Sequence, residues 1–116
     1  MARAGNLAAL ELIGRRWTGS IVSAMLDGAE RYGEVRAAIP GIGDRVLTQR
    51  LKELEDHGVI SRSVVASRPV QILYHLTPKG QAVQEVLQCM SSWAETWPAP
   101  EAPEPQGRDS DMSDLD

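Results

Sequence analysis

Arg45, Gln49 and Lys52 recur at steps of four and three along the chain, a spacing that gathers three long hydrogen-bonding side chains on one side of a helix. Arginine and glutamine can each pair two hydrogen-bonding groups with a base edge, guanine for the first and adenine for the second, and lysine suits a phosphate. With Leu47 set at 0° and about 100° per residue, Leu51 and Leu54 fall within about 40° of it, whereas Arg45, Gln49 and Lys52 lie at roughly 140–200°. Thr48 falls on the flank of the polar side, and Arg50 close to the apolar edge. Such a helix is fixed to a core by leucines and offers donors outward, which is the chemistry of recognition in a nucleic-acid groove rather than of catalysis. The same pattern also describes an ordinary solvated face, because Glu53 and Asp56 share the polar side.

The elements around it must hold that helix outward. A tight helical turn is expected just before it: a short helix with Gly33 near its start and Val35, Ala38 and Ile39 facing inward. Pro40-Gly41 ends this helix, because proline lacks an amide donor and restricts the residue before it. The polar helix itself is expected over Asp44 to His57, with Gly58 beyond its end. Two extended runs follow, Val59 to Val65 and Val70 to Leu76, joined by Ala66-Ser67-Arg68-Pro69, and the alternation in the second predicts a two-stranded wing. Ahead of these lie a helix from Leu7 to Ile13, with Asn6 at its N-cap, and another from Trp17 to Asp27. Gly28 then stands at a left-handed C-cap. Thr77-Pro78 caps a last helix reaching Trp97. Its apolar residues Val83, Val86, Leu87, Met90, Trp93, Ala94 and Trp97 recur at steps of three and four, a longer stripe than a small core requires. Two readings remain open for that stripe: closure of the monomer core, or a seam between two copies shared with Leu7 and Leu10 of the first helix.

The chain of 116 residues predicts one domain over 7–97, a short arm over 1–6, and a proline-rich acidic tail over 98–116 expected to be disordered. The net charge of −4 argues superficially against nucleic acid. Its distribution reverses that reading: the tail carries a net of −5, residues 1–97 a net of +1, and residues 31–68 hold seven basic against five acidic side chains. Local cations, not total charge, drive phosphate binding. A single cysteine, Cys89, forms no internal disulfide, and no secretory leader or membrane span is legible, so a cytoplasmic protein is expected. Cys89 lies among Leu87, Met90 and Trp93, where a buried, dull thiol is the default and an oxidisable sensor at a seam the sharper alternative. His57 and His75 stand apart, and neither a metal-ligand spacing nor a nucleophile–base pairing nor a phosphate-cradling glycine loop is legible. The expectation is therefore not an enzyme, with no cofactor and no metal.

Three segments, Leu12-Ile13-Gly14-Arg15-Arg16-Trp17-Thr18, Leu47-Thr48-Gln49-Arg50-Leu51-Lys52-Glu53-Leu54-Glu55 and Gly58-Val59-Ile60-Ser61-Arg62, carry a resemblance that continues through Pro69, Tyr74-His75-Leu76-Thr77-Pro78-Lys79-Gly80 and Trp93. In this order and spacing the chain resembles the HxlR-type winged helix-turn-helix transcriptional regulators of bacteria, relatives of the MarR group, from about residue 7 to 97. The resemblance implies a mainly α fold with a small β-hairpin wing, dimerising through its N- and C-terminal helices. It also implies a recognition helix in the major groove and a wing near the minor groove or backbone. Such regulators often answer to electrophiles, aldehydes, quinones or oxidants. Many carry a sensing cysteine just before the first helix, and Ala4 occupies that place here. Gly33 and Gly43 stand where hydroxyl residues are common at helix starts.

The expected partners are thus double-stranded DNA, a second copy of the chain, and a small-molecule effector, with no membrane. The DNA-contact candidates are Arg45, Thr48, Gln49, Arg50, Lys52, Arg62 and Arg68. Arg50 is equally suited to pairing internally, Arg62 to phosphate or an internal partner, and Arg68 at the wing tip to a narrow minor groove or to solvent. The dimerisation candidates are Leu7, Leu10, Val86, Leu87, Met90, Trp93 and Trp97, the two tryptophans serving either packing or a pocket between subunits. Cys89 is the candidate sensor. The competing function is a winged helix used for protein contacts without specific DNA binding.

Overall fold

The computed structural model describes residues 2–100, with side chains from Gly5 onward. Five helices and one hairpin follow in order: α1 (Ala2–Ile13), α2 (Thr18–Leu26), α3 (Tyr32–Ala38), α4 (Asp44–Asp56), β1 (Ile60–Val65), β2 (Gln71–Leu76) and α5 (Pro78–Thr96). The core is built where apolar stripes converge. Ile21, Val22 and Met25 of α2, Val35 of α3 with Ile39 just beyond it, and Leu47, Leu51 and Leu54 of α4 are buried together. Val59 and Ile60 close it from the hairpin and Val83 from α5. Each such side chain taken from water contributes about 1.5–3 kcal/mol. The helix-turn-helix pair α3–α4 is therefore fixed by the same cluster that holds α2.

The turn between α3 and α4 needs its glycine. Gly41 has φ of 91°, which side chains disfavour, and the turn lets Ile42 bury beside Ile39. Gly28 (φ 115°) and Gly58 (φ 74°) end α2 and α4 in the same left-handed region, as their positions predict. The hairpin is antiparallel, in register from Ile60↔Leu76 to Val65↔Gln71. The free edge of β2 is tied to the start of α3, by Tyr74 N donating to Glu30 O at 2.7 Å and by a bridge between Arg31 and Leu73. The wing is thereby attached to the helix-turn-helix unit. At the head of α5, Thr77 Oγ1 accepts from Gly80 N at 3.1 Å and donates to the carbonyl oxygens of Gly58 and Val59. A Cβ at Gly80 would overlap the Val59 carbonyl oxygen, so glycine lets α5 dock on the link between α4 and β1.

Several local expectations need correction. Residues 2–6 are not a separate arm, because α1 already runs through them and Asn6 is an interior residue rather than a cap. Alanines at 2, 4, 8 and 9 favour that extension. α2 starts after Trp17, not with it; Trp17 adopts a left-handed φ of 78°, with the Arg16 guanidinium 4.5 Å over its ring. Ala38 is exposed rather than inward, because Val35 and Ile39, four apart, already fill the core-facing side. The proposed tail over 98–116 falls largely outside the described residues. Among the described residues, no helix is long and apolar enough to cross a membrane.

Candidate nucleic-acid interface

α4 stands with one side in the core and one side free. Leu47, Leu51 and Leu54 are 0–2% exposed, while Arg45, Thr48, Gln49 and Lys52 are all exposed on the opposite side. Its N-cap is Gly43, which supplies no side-chain oxygen to the first turn. Asp44 in that turn is favourable to the helix dipole. Lys52 Nζ lies 3.0 Å from Asp56 Oδ1, a hydrogen bond that holds the ammonium above the usual lysine pKa. Glu53, placed on the polar side by its spacing, turns toward Arg50 and Arg15 and is only partly exposed.

Arg50 leaves the candidate set. It is 1% exposed, its Nε donates to Arg16 O at 3.0 Å, and its Nη1 lies 3.5 Å from Glu53 Oε2. The guanidinium is thus a bolt between α4 and the α1–α2 link, turned away from solvent. At this position near the apolar edge, the long stem lets the charge pass under the helix to a backbone carbonyl.

Around the start of α4 the structure assembles groups that periodicity did not disclose. Tyr32 Oη of α3 donates to Asp44 Oδ1 at 2.8 Å and lies 3.4 Å from Thr48 Oγ1. Desolvation raises the Tyr32 pKa above its ordinary value; the Thr48 hydroxyl opposes this and Asp44 reinforces it. Arg36 Nε lies 3.3 Å from the same Asp44 oxygen. Arg36 and Asp44 sit on different helices, so no single-helix spacing marks them as a pair. The only hint was an unassigned arginine in the last turn of α3.

On the wing, Arg62 and its cross-strand partner Tyr74 border a cleft whose other wall is Thr48, Leu51, Lys52 and Glu55 of α4. Arg62 therefore belongs with the α4 surface, and Arg68 is exposed at the far tip, where Ser67 Oγ donates to Pro69 O at 2.6 Å. The structure brings Arg45, Thr48, Gln49, Lys52 and Arg62 to one side of the molecule and sets Arg68 at the end of the arm beside them.

A second surface is apolar. Leu7, Leu10, Val86, Met90, Trp93 and Trp97 are 43–69% exposed. With Val83 at 0°, Leu87 falls at about 40°, whereas Val86, Met90, Trp93 and Trp97 cluster at about 280–340°. The stripe thus lies only about 20–80° from Val83 around the helix, and position along α5 separates the two. Val83 and the partly buried Leu87 pack on this chain's own core, which takes nothing from α5 beyond Leu87, whereas Trp93 and Trp97 further along are 67% exposed. Cys89 lies about 40° beyond the stripe and is exposed, which corrects the expectation of a buried thiol. Its sequence neighbours are apolar, but Met90 and Trp93 are themselves more than half exposed.

A buried scaffold, a projecting polar helix after a tight turn and a tethered two-stranded wing define a winged helix-turn-helix, the architecture of a DNA-binding transcriptional regulator. Comparison with known proteins agrees. The profile of the HxlR-like helix-turn-helix family matches residues 12–102, and the chain belongs to that family. It is 44% identical to the helix-turn-helix-type transcriptional regulator YvaP of Bacillus subtilis over 89 residues, covering 77% of this chain and 82% of YvaP. It is 41% identical to the regulator YodB of the same organism over 93 residues, 80% of this chain and 83% of YodB. The reduced form of YodB superposes with a TM-score of 0.74 at 40% identity, covering 82% of this chain and 93% of that one. YodB has also been solved diamide-treated and quinone-bound. A MarR-family regulator of Enterococcus faecalis gives a TM-score of 0.74 at 35% identity, over 82% of this chain and 86% of the other.

Proposed function

We propose that this DNA-binding regulator acts as a homodimer that inserts α4 of each copy into successive major grooves, with Arg45 and Gln49 reading base edges. Thr48 flanks them, Lys52 and Arg62 meet phosphates, and Arg68 approaches the minor groove at the wing tip. The observation that carries this reading is the division of α4, leucines buried to 2% or less and the arginine, threonine, glutamine and lysine all exposed. Dimerisation is supported by the α5 stripe with Leu7 and Leu10, six large apolar side chains left 43–69% exposed, the kind of surface that marks an interaction site. Two-fold pairing there fixes the distance between the two α4 helices.

A small-molecule or electrophile signal is supported by YodB, solved with a bound quinone. It acts by stabilising dimers with one α4 spacing over another. A thiol-directed signal has one target in this sequence, Cys89, exposed beside the stripe. The test is a mobility-shift titration on DNA flanking the protein's own gene, with Arg45→Ala combined with Gln49→Ala as the comparison. Specific binding is expected in the parent and lost in the variant. Equal binding by both, insensitive to salt, supports instead a winged helix used for protein contacts.

A further inference from the structure

The exposed arginine at the helix-turn-helix corner, Arg36, has a place that the groove helix alone does not explain. It lies in the last turn of α3, with Nε 3.3 Å from Asp44 Oδ1 at the start of α4. That oxygen already accepts the Tyr32 hydroxyl at 2.8 Å, and the same hydroxyl is 3.2 Å from the Asp44 carbonyl oxygen. Both members of the ion pair are more than half exposed, at 53% and 61% of their side chains. The residue next to Asp44 is Arg45, the foremost base-reading candidate. A carboxylate here stands where phosphates approach, and it repels them unless a cation accompanies it.

Arg36 supplies that cation from the helix that, in helix-turn-helix proteins, crosses the sugar–phosphate backbone. A guanidinium carries five donors in a planar fork that matches phosphate oxygens. Exposed ion pairs are weak in water, so exchanging the carboxylate for a phosphate costs little. We propose that Arg36 is a DNA-phosphate contact, held over the α3–α4 corner by Asp44 in the free protein and transferred to the backbone when α4 docks. Asp44 is then a positioning residue with two opposed effects: it orients the guanidinium, and it competes with DNA for it. This rests on the reading of α4 as the groove helix.

The test measures affinity by fluorescence anisotropy on operator and unrelated duplexes across a salt series. The proteins are the full chain, Arg36→Ala, Arg36→Lys and Asp44→Asn, each with a melting curve. Arg36→Ala is expected to weaken both duplexes by a common factor and to make the slope of log K against log salt shallower by about 0.9 per protomer. Arg36→Lys restores most of that slope. Asp44→Asn keeps an acceptor for Tyr32 but removes the anion, and it is expected to bind unrelated DNA at least as tightly as the parent. An unchanged slope in Arg36→Ala overturns the proposal. So does an Asp44→Asn protein that loses affinity and melting temperature together with Arg36→Ala, since the pair is then only a brace. Failure of the α4 reading shows differently: operator preference survives Arg45→Ala with Gln49→Ala. Failure of the Arg36 proposal leaves that preference dependent on both residues.

Discussion

Arg50 sits in the middle of α4, yet its geometry predicts an effect on stability and not on recognition. Truncation to alanine removes the Nε hydrogen bond to Arg16 O at 3.0 Å, a charged donor on a carbonyl, worth about 1.5–3 kcal/mol. It also removes two methylenes from a site 1% exposed, worth about 0.8 kcal/mol each. Glu53 is 25% exposed and keeps Arg15 at 3.7 Å, so losing its Arg50 contact adds at most about 1 kcal/mol. The total is about 3–6 kcal/mol, which for a domain of this size lowers Tm by at least about 12 °C. The assay is thermal unfolding by far-ultraviolet circular dichroism at one fixed protein concentration, since association shifts Tm by mass action. Arg50→Met, which keeps the stem and loses the charge, should fall between alanine and the parent. Arg45→Ala should change stability by no more than about 0.5 kcal/mol, as expected of an exposed side chain. An Arg50→Ala protein that melts within about 3 °C of the parent but fails to bind DNA would refute the assignment of Arg50 to the scaffold.

Other outcomes follow from the remaining surfaces. Met90→Glu with Trp93→Glu places carboxylates in the outward stripe of α5. The parent is expected to sediment at twice the 12.7 kDa chain mass and the variant at the chain mass itself; a monomeric parent would contradict the seam. Glu34 accepts the backbone amides of Glu30 at 2.9 Å and Arg31 at 3.0 Å, which holds its pKa below the usual 4.5. A lowered folded value means the stabilisation is present above about pH 4.5 and is lost as pH falls through the lower folded value. Glu34→Gln should therefore flatten the acid limb of a stability–pH profile, and an identical limb in both proteins would count against the capping role.

Much of the fold was legible because its signals are local. The Leu47–Leu51–Leu54 stripe, the Pro40-Gly41 turn, the alternation after Val70 and the Thr77-Pro78 cap each specify geometry within a few residues. What the sequence concealed depends on distant partners. Arg50 is decided by a carbonyl 34 residues earlier, and its angle on the helix leaves inward and outward routes open. Arg36 and Asp44 meet only once the turn is folded. Cys89 was misread because apolar neighbours suggest burial, whereas Met90 and Trp93 lie beyond the part of α5 that packs on the core. The start of α1 was obscured by Asn6, whose capping preference was outweighed by the helix-favouring alanines around it.

The central claim is that α4 reads bases through Arg45, and base-pair substitution measures this most directly. Affinities of the parent and Arg45→Ala are compared on the operator and on duplexes with each half-site guanine replaced in turn. The parent should lose about 1–3 kcal/mol at one guanine position in each half-site, and Arg45→Ala should be indifferent to that same replacement. If Arg45→Ala discriminates among these duplexes as sharply as the parent, α4 is not reading the groove through that side chain.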